Sequence, residues 1–422
     1  MNIWIITTGE PIPNIDGENI RPWRTVLLTN MLISMGHKVT RWAGTFDHSN
    51  KINRFKSSTL MTISSQYDIQ FFYSSGYNKN ISIERLLDHK EGARNFKNLI
   101  YSAEKPDLIF CSLPTLELCH VSVEYANKYN VPIVLDIRDL WPDIFLEISP
   151  VLLKPLLKVL LRKYYEYLKY SCYNATAISG ISSEYVQWGI NYSLRKKTKY
   201  DKYFPHGYMQ SVISESDWIN SELFWRSFNF VCENDFIICL FSSLGNVIDI
   251  DPIIEASIRF EKEGMPVKFI LCGDGVKLND FKRVTNRCKN ILMPGWIDKN
   301  NIHYLMKISK LGILPYKNLE NYQLNIPNKP IEYFSGGLPV ITSVSGLLKN
   351  TIDEFGCGKF YSTNIKFDLY NKILSFYNDP GKLLLYSENA LSLYDSQFNS
   401  NSVYKNMAEY LENIKYNYDK KI

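Results

Sequence analysis

Short, wholly apolar and β-branched runs alternate along the chain with longer stretches whose apolar positions recur at helical spacing. The strand-like runs fall at 3–7, 107–111, 132–136 and 175–179, and again at 236–241, 267–272, 311–315 and 338–342. Strands apolar on both faces and separated by amphipathic helices predict parallel sheets covered on both sides. The clearest helix is 22–35, with Pro22 in its first turn and Gly36 closing it. The two series of strands predict two doubly wound α/β domains. The first covers 1–207 and ends on the short strand and turn Lys202-Tyr203-Phe204-Pro205-His206-Gly207. The second covers 208–398 and opens on an irregular segment, 208–229. A helical stretch in 399–422 is expected to pack back on the first domain.

Length and composition agree with this division. At 422 residues the chain exceeds one ordinary domain, and 45% hydrophobic content provides for substantial cores. A net charge of +5 gives no general signal for nucleic acid. The opening Met1-Asn2-Ile3-Trp4-Ile5-Ile6 lacks a basic leader and reads as a first strand. No run approaches the ~18 apolar residues of a membrane-spanning helix. The eight cysteines form no C-x-x-C pair, and Cys111, Cys239 and Cys272 lie in apolar strands, as expected of buried thiols in a reducing cytosol. The six histidines show no metal spacing, and His37 reads as a turn residue.

In open α/β sheets, ligands bind beyond the carboxyl ends of the strands, so the loops there carry the candidate chemistry. The first loop, 8–21, is long for its position and holds Gly17 and Arg21, with Arg24 just beyond; the basic residues at a helix start suit an anion. The run Asp136-Ile137-Arg138-Asp139-Leu140-Trp141-Pro142-Asp143 ends a buried strand. Alternation puts Asp136 and Arg138 on one face, where they can pair, and Arg138 and Asp139 stand at the exit. In the second series, Ser242 to Asn246, with Ser243 and Gly245, is small enough to let backbone N–H groups approach a phosphate. Asp251-Pro252 reads as a helix cap with proline at the first position. Gly273-Asp274-Gly275 reads as a tight turn beside a nucleotide base rather than a dinucleotide fingerprint.

The segment Ile326-Pro327-Asn328-Lys329-Pro330-Ile331-Glu332 places one acid a turn inside a helix that ends at Gly336-Gly337. The helix start at Asn328 favours a diphosphate, and Glu332 can accept two hydrogen bonds from a ribose diol. Together these are the demands of a nucleotide. The segment 151–165 is Leu-, Val- and Tyr-rich, with Lys154, Lys158 and Arg162 at i, i+4 and i+8. It is expected to bury one side in its domain and lay the other on an anionic membrane surface.

With these residues in view, the chain resembles the retaining GT-B glycosyltransferases of family 4, in the bacterial branch that builds O-antigen and capsule repeats and includes N-acetylfucosamine transferases. In the first half the resemblance rests on Asp16-Gly17-Glu18-Asn19, Arg21, Arg24, Gly36-His37-Lys38-Val39-Thr40, Phe46-Asp47-His48, Lys105-Pro106-Asp107 and Asp136 to Asp143. In the second half it rests on Gly273-Asp274-Gly275, Pro294-Gly295-Trp296, Pro327-Asn328-Lys329, Glu332-Tyr333 and Gly337-Leu338-Pro339-Val340-Ile341. The resemblance implies two facing Rossmann-like domains with the nucleotide sugar mainly on the second. Glu332 matches the ribose-binding acid of a paired-glutamate motif whose first acid position is Leu324; Gln323 and Asn325 are then the neighbours able to meet sugar hydroxyls. An Arg-Lys pair usual in the 243–250 loop is absent, leaving Lys329, and after it Arg24, to neutralise the diphosphate.

The resemblance further implies transfer with retention, from a UDP-linked HexNAc or deoxy-HexNAc to a polyprenyl-diphosphate-linked saccharide. No metal or other cofactor is expected, and no nucleic acid. The enzyme is expected in the cytoplasm, peripheral on the inner face of the membrane. Arg138, Asp139 and Lys329 would serve the reaction. Gly17, Arg24, Ser243, Gly245, Asn246, Gly273, Gly275, Asn325, Asn328 and Glu332 would hold the donor, and Arg21, Lys154, Lys158 and Arg162 would meet the acceptor and membrane. Two other readings keep the fold: a nucleotide-sugar 2-epimerase and an inactive nucleotide-binding subunit.

Overall fold

The computed structural model describes residues 1–17, 20–79, 82–210, 213–232 and 234–420. Glu18 and Asn19, part of the first-loop run quoted above, lie outside the described residues. The chain divides into two units: Met1–Pro205 together with the segment from Ser400 onward, and His206–Asn399.

The strands of the first unit are β1 (Asn2–Ile6), β2 (Lys38–Gly44), β3 (Phe46–Asp47), β4 (Ile52–Asn53), β5 (Thr59–Ser64), β6 (Tyr67–Phe72), β7 (Leu108–Ser112), β8 (Ile133–Ile137), β9 (Ala177–Gly180) and β10 (Lys202–Tyr203). Eight of them form one sheet in the order β10-β9-β8-β7-β1-β2-β6-β5, while β3 and β4 make a small antiparallel ribbon. All neighbours in the sheet are parallel except β5, which turns back along β6. β7 and β8 are buried along their whole length, as expected of parallel strands covered on both faces. The helix Arg24–Ser34 starts two residues later than its sequence pattern suggests, with Trp23 at the cap position. Leu28 and Leu32 on it share a core with Val403, Met407, Leu411 and Ile414 of the helix Ser400–Asp419. The ring of Tyr410 lies 5.0 Å from that of Phe204, and its hydroxyl donates to the Tyr200 carbonyl at 2.7 Å.

The second unit holds β11 (Phe236–Phe241), β12 (Val267–Cys272), β13 (Ile291–Gly295), β14 (Leu311–Leu314), β15 (Val340–Thr342) and β16 (Gly358–Phe360). They form one parallel sheet in the order β13-β12-β11-β14-β15-β16. Strand order reverses between β1 and β7 in the first sheet and between β11 and β14 in the second. Those two points are where open α/β sheets leave a crevice for ligands.

Three expectations are corrected. Residues 208–229 are not irregular throughout: Glu215–Arg226 is a helix whose first turn is capped by the Ser214 side chain. Asp251 is not a cap; it is already helical, and its N–H donates to the Asp249 carboxylate at 3.1 Å. The segment 151–165 is not one helix. It is a 3-10 turn, Val151–Leu153, then Lys154–Leu160, then a break at Leu161 before Arg162–Asn174. Arg162 therefore stands on a different helix from Lys154 and Lys158. Lys154–Leu160 has no buried residue, so the side expected to pack into the domain does not.

Candidate active site

The helix Asn328–Ser335 and the loops after β11, β12 and β14 build the candidate site of the second unit. Asn328, exposed, opens the helix, and Gly336 ends it. One turn in, the Glu332 carboxylate accepts from the Lys329 ammonium at 2.9 Å; the side chains are 5% and 24% exposed. The Lys329 ammonium also lies 4.7 Å from the centre of the Phe241 ring, at the last residue of β11. Packing against a strand end thus sets a cation and an acid beside the end of β11. Ser243 and Asn246 are exposed in the loop that follows, and a side chain at Gly245 would meet only open space. Across the reversal of strand order, the Ser242 and Tyr316 hydroxyls are 2.9 Å apart.

Gly273 and Gly275 have an internal reason to be glycine. Both take left-handed φ values, +142° and +150°. A Cβ on Gly273 would lie 1.8 Å from the Ser242 carbonyl oxygen, and one on Gly275 2.5 Å from that of Leu244. The two loops are also joined by the Leu244 N–H donating to the Asp274 carbonyl at 2.8 Å. These glycines therefore set the shape of the Ser243 loop, whatever they do for a ligand. Asn325 is buried and donates its amide to the Asn321 carbonyl, so its side chain braces the turn before the helix.

In the first unit, strand alternation does not predict the ion pairs. Asp136 pairs not with Arg138 but with Arg24, whose Nε and Nη2 reach its two oxygens at 2.8 and 2.9 Å. Nη1 of Arg24 donates to the Phe204 and Pro205 carbonyls at 3.0 and 3.1 Å, and the Ser179 hydroxyl donates to Asp136 at 2.8 Å. Arg24 is 2% exposed, so its guanidinium is committed inside the unit; this corrects its assignment to a donor diphosphate. Arg138 donates instead to Glu10, which also accepts from the Thr25 backbone N–H and hydroxyl. Burial would raise the Glu10 carboxyl, but Arg138 and Arg41 hold it below its ordinary value. Glu10 thereby fixes Arg138 while leaving it partly open. Arg21 and Gly17 lie exposed on the same loop.

Beside Arg138, removal from water raises the Asp139 carboxyl to about 6, against the opposing pull of Arg138 and Arg85. The next residues are anchored by Asp143, which accepts from the Tyr165 hydroxyl at 2.7 Å, the Trp188 indole N–H at 2.7 Å and the Tyr192 hydroxyl at 2.8 Å. The Trp141–Pro142 peptide between them is cis. Sequence reasoning missed Glu10 and the anchoring role of Asp143, because both depend on partners far along the chain.

Among the described residues there is no His, Cys, Asp and Glu cluster able to hold a metal, and no helix long and apolar enough to cross a membrane. The eight cysteines are free thiols, and Cys232 alone among them is exposed.

Residues 223–392 match the family described as Glycosyl transferases group 1. No curated protein sequence matches the chain. Among solved structures, sucrose-phosphate synthase from Thermosynechococcus elongatus superposes with a TM-score of 0.69 at 15% identity, over 98% of each chain. HepE of Anabaena in complex with UDP gives 0.66 at 15% identity, over 98% of this chain and 99% of that one. WaaG, a glycosyltransferase involved in lipopolysaccharide biosynthesis, gives 0.60 at 12% identity, over 97% and 99%. At such identities the structures speak for the fold, and the matched domain speaks for the activity. The chain has the GT-B fold, carries a glycosyl transferases group 1 domain in its second unit, and is a glycosyltransferase.

Proposed function

We propose that the chain is a retaining, family 4 enzyme that moves a HexNAc or deoxy-HexNAc unit from a UDP-linked donor to a polyprenyl-diphosphate-linked saccharide, in O-antigen or capsule synthesis. The observation that carries this reading is the Lys329–Glu332 pair at the mouth of the helix Asn328–Ser335, inside the matched domain. In this reading Glu332 accepts from the ribose hydroxyls. Lys329, the helix N-terminus at Asn328 and the backbone from Ser243 to Asn246 face the charge that builds on the leaving diphosphate. The donor's own phosphate takes the acceptor proton as the sugar migrates on one face. Asp139, flanked by Arg138, orients the acceptor hydroxyl. A bound UDP in HepE supports a uridine donor.

The acceptor half of the reading is supported by the corner 148–163. Leu152 is 93% exposed, Val151 77% and Val159 71%, and Leu153, Leu156 and Leu160 are exposed around them. Lys158, Arg162 and Lys163 lie exposed among these side chains, and Lys154 is half-buried beside them. Apolar side chains projecting from a basic corner suit an anionic lipid surface, each cation adding about 1 kcal/mol. The corner would hold the enzyme, as a peripheral protein, where a lipid-linked acceptor resides.

The test is a thermal-shift series with UDP-, GDP- and dTDP-sugars, followed by transfer to a polyprenyl-diphosphate saccharide and assignment of the anomer formed. A stabilising UDP-sugar and an axial product from an axial donor are expected. Epimerised sugar from a donor-only incubation, or no melting shift with any nucleotide sugar, would overturn the reading.

A further inference from the structure

Glu10 stands where four parts of the first unit meet. Its carboxylate follows β1 and accepts from the Thr25 N–H at 3.2 Å and from the Thr25 hydroxyl, both on the helix Arg24–Ser34. Beyond the end of β8, Arg138 donates to it through Nη1, and Nη2 of Arg41, on β2, lies 3.9 Å away. The Glu10 side chain is 2% exposed, that of Arg41 0% and that of Arg138 14%. Glu10 is thus sealed from solvent, whereas the guanidinium it holds reaches the surface at the strand exit.

The neighbour of Arg138 is in the opposite condition. Among the described residues, no hydrogen bond or ion pair joins the Asp139 carboxylate to another side chain. Arg138, on its own segment, and Arg85, on the helix Ile83–Ile100, act on it through their charges alone. They do not offset its removal from water, and the carboxyl stands at about 6. A guanidinium one residue away would ordinarily pair with such a group. Here the Arg138 guanidinium is taken by Glu10. Burial raises the Glu10 carboxyl, but Arg138 and Arg41 hold it below its ordinary value, so it stays ionised and keeps its grip at neutral pH. Arg24 also feels this charge, but its own hydrogen bonds go to Asp136 and the Phe204 and Pro205 carbonyls.

We infer that Glu10 is a positioning residue of the transfer reaction: by engaging Arg138, it keeps the Asp139 carboxylate without a cation partner and free for the acceptor hydroxyl. This rests on the glycosyltransferase reading above, in which Asp139 orients that hydroxyl, and deepens it with a residue that never touches the substrate. A carboxylate outside any ion pair keeps its lone pairs and its basicity, and so accepts a hydrogen bond from a sugar hydroxyl more strongly. Without Glu10, Arg138 would turn to its neighbour and occupy the oxygens the acceptor needs.

The test combines Glu10→Gln with Arg41→Met, so that neither buried charge is left without the other; Glu10→Gln alone is the second variant. The Asp carboxyls of the full chain are titrated by carbon-13 NMR, with the Asp139 signal identified by its loss in Asp139→Asn. Thermal melting and calorimetric UDP affinity report that each variant is folded. Asp139 is expected to titrate near 6 in the native chain and roughly one pH unit lower in both variants, as Arg138 turns to it. Adding Arg138→Met to the double variant should bring the titration back to the native value or above. Turnover at pH 7.5, with the UDP-sugar and polyprenyl-diphosphate saccharide of the screen above, should fall about tenfold in the double variant while the donor KM stays within about twofold. An Asp139 titration unmoved in both variants, or one that stays low after Arg138→Met, overturns the inference. So does a lowered titration with turnover unchanged, which would make the Glu10–Arg138 contact structural alone. A native chain that binds no UDP, yet titrates as expected, would overturn the nucleotide reading and leave the hold of Glu10 on Arg138 in place.

Discussion

Arg24 grips Asp136 with two parallel hydrogen bonds, 2.8 and 2.9 Å long, across 112 residues of sequence and with both side chains buried. The pair fastens the first helix to the end of β8, immediately before Arg138 and Asp139. Removing one partner leaves the other charge buried, at a cost of about 3–5 kcal/mol. Arg24→Ala is expected to lower Tm by roughly 10 °C, and Arg24→Lys to recover part of that, because an ammonium cannot match the two-pronged geometry. Thermal denaturation checks both. A melting temperature within 2 °C of the native one in Arg24→Ala would show that the pair does not hold the unit.

Glu332→Gln is expected to weaken UDP binding roughly ten- to hundredfold, the worth of about 1.5–3 kcal/mol for hydrogen bonds to a charged acceptor. The fold should survive, because Glu332 lies at a helix mouth and not in the apolar core. Titration calorimetry with UDP measures the effect, and unchanged affinity with normal melting removes Glu332 from the ribose.

Asp139 gives a pH dependence with opposite signs for activity and stability. Its carboxyl, at about 6, lies above its ordinary value of 3.8. The native state therefore binds that proton more tightly than the unfolded chain. The stability this contributes is present below pH 4 and lost as pH rises through about 6. Asp139→Asn should raise Tm at pH 7.5 by a few degrees, on the order of 1–2 kcal/mol after screening, and do little at pH 4.5. With Asp139 in the proposed acceptor-orienting role, turnover should fall below pH 6 in the native enzyme and be reduced about a hundredfold in Asp139→Asn above pH 6, the gap narrowing in acid, with donor affinity kept. A variant destabilised at pH 7.5, or an unchanged pH–rate profile, contradicts this.

The basic, apolar corner predicts charge-dependent membrane binding. Co-sedimentation with vesicles containing anionic lipid should exceed that with neutral vesicles several-fold and fall at high salt. Leu152→Ser with Val159→Ser should reduce it on the apolar side, and Lys154→Glu with Lys158→Glu on the charged side, without change in Tm. Binding indifferent to lipid charge and salt would place any membrane contact elsewhere.

Where burial is complete on both faces, the sequence pattern marks the structure closely. Phe236–Phe241 and Val267–Cys272 run residue for residue as their apolar runs indicate. The β5 strand, Thr59–Ser64, gives no such signal. It is an edge strand with most side chains in solvent, so no buried face imposes a clear apolar run or alternation on Thr-Leu-Met-Thr-Ile-Ser. The helix Glu215–Arg226 buries only Ser221 and Trp225, too few for a helical period to be read. At the site, Glu332 is legible because its setting is local, one turn inside a helix that Pro327 and Gly336 delimit. The pairing of Arg24 with Asp136 and of Arg138 with Glu10 is not, because separations of 112 and 128 residues leave no trace in local spacing.

The helix Ser400–Asp419 completes the core of the first unit, although the whole of the second unit separates it from the rest of that unit. Synthesis thus runs out of step with architecture. The second unit has its full sequence in hand before the first can close. Until residues 403–414 emerge from the ribosome, the apolar face of Leu28 and Leu32 has nothing to cover it. The amino-terminal unit is therefore the one whose core closes last. A nonsense mutation near residue 400 would act as a folding lesion of the half of the protein made first.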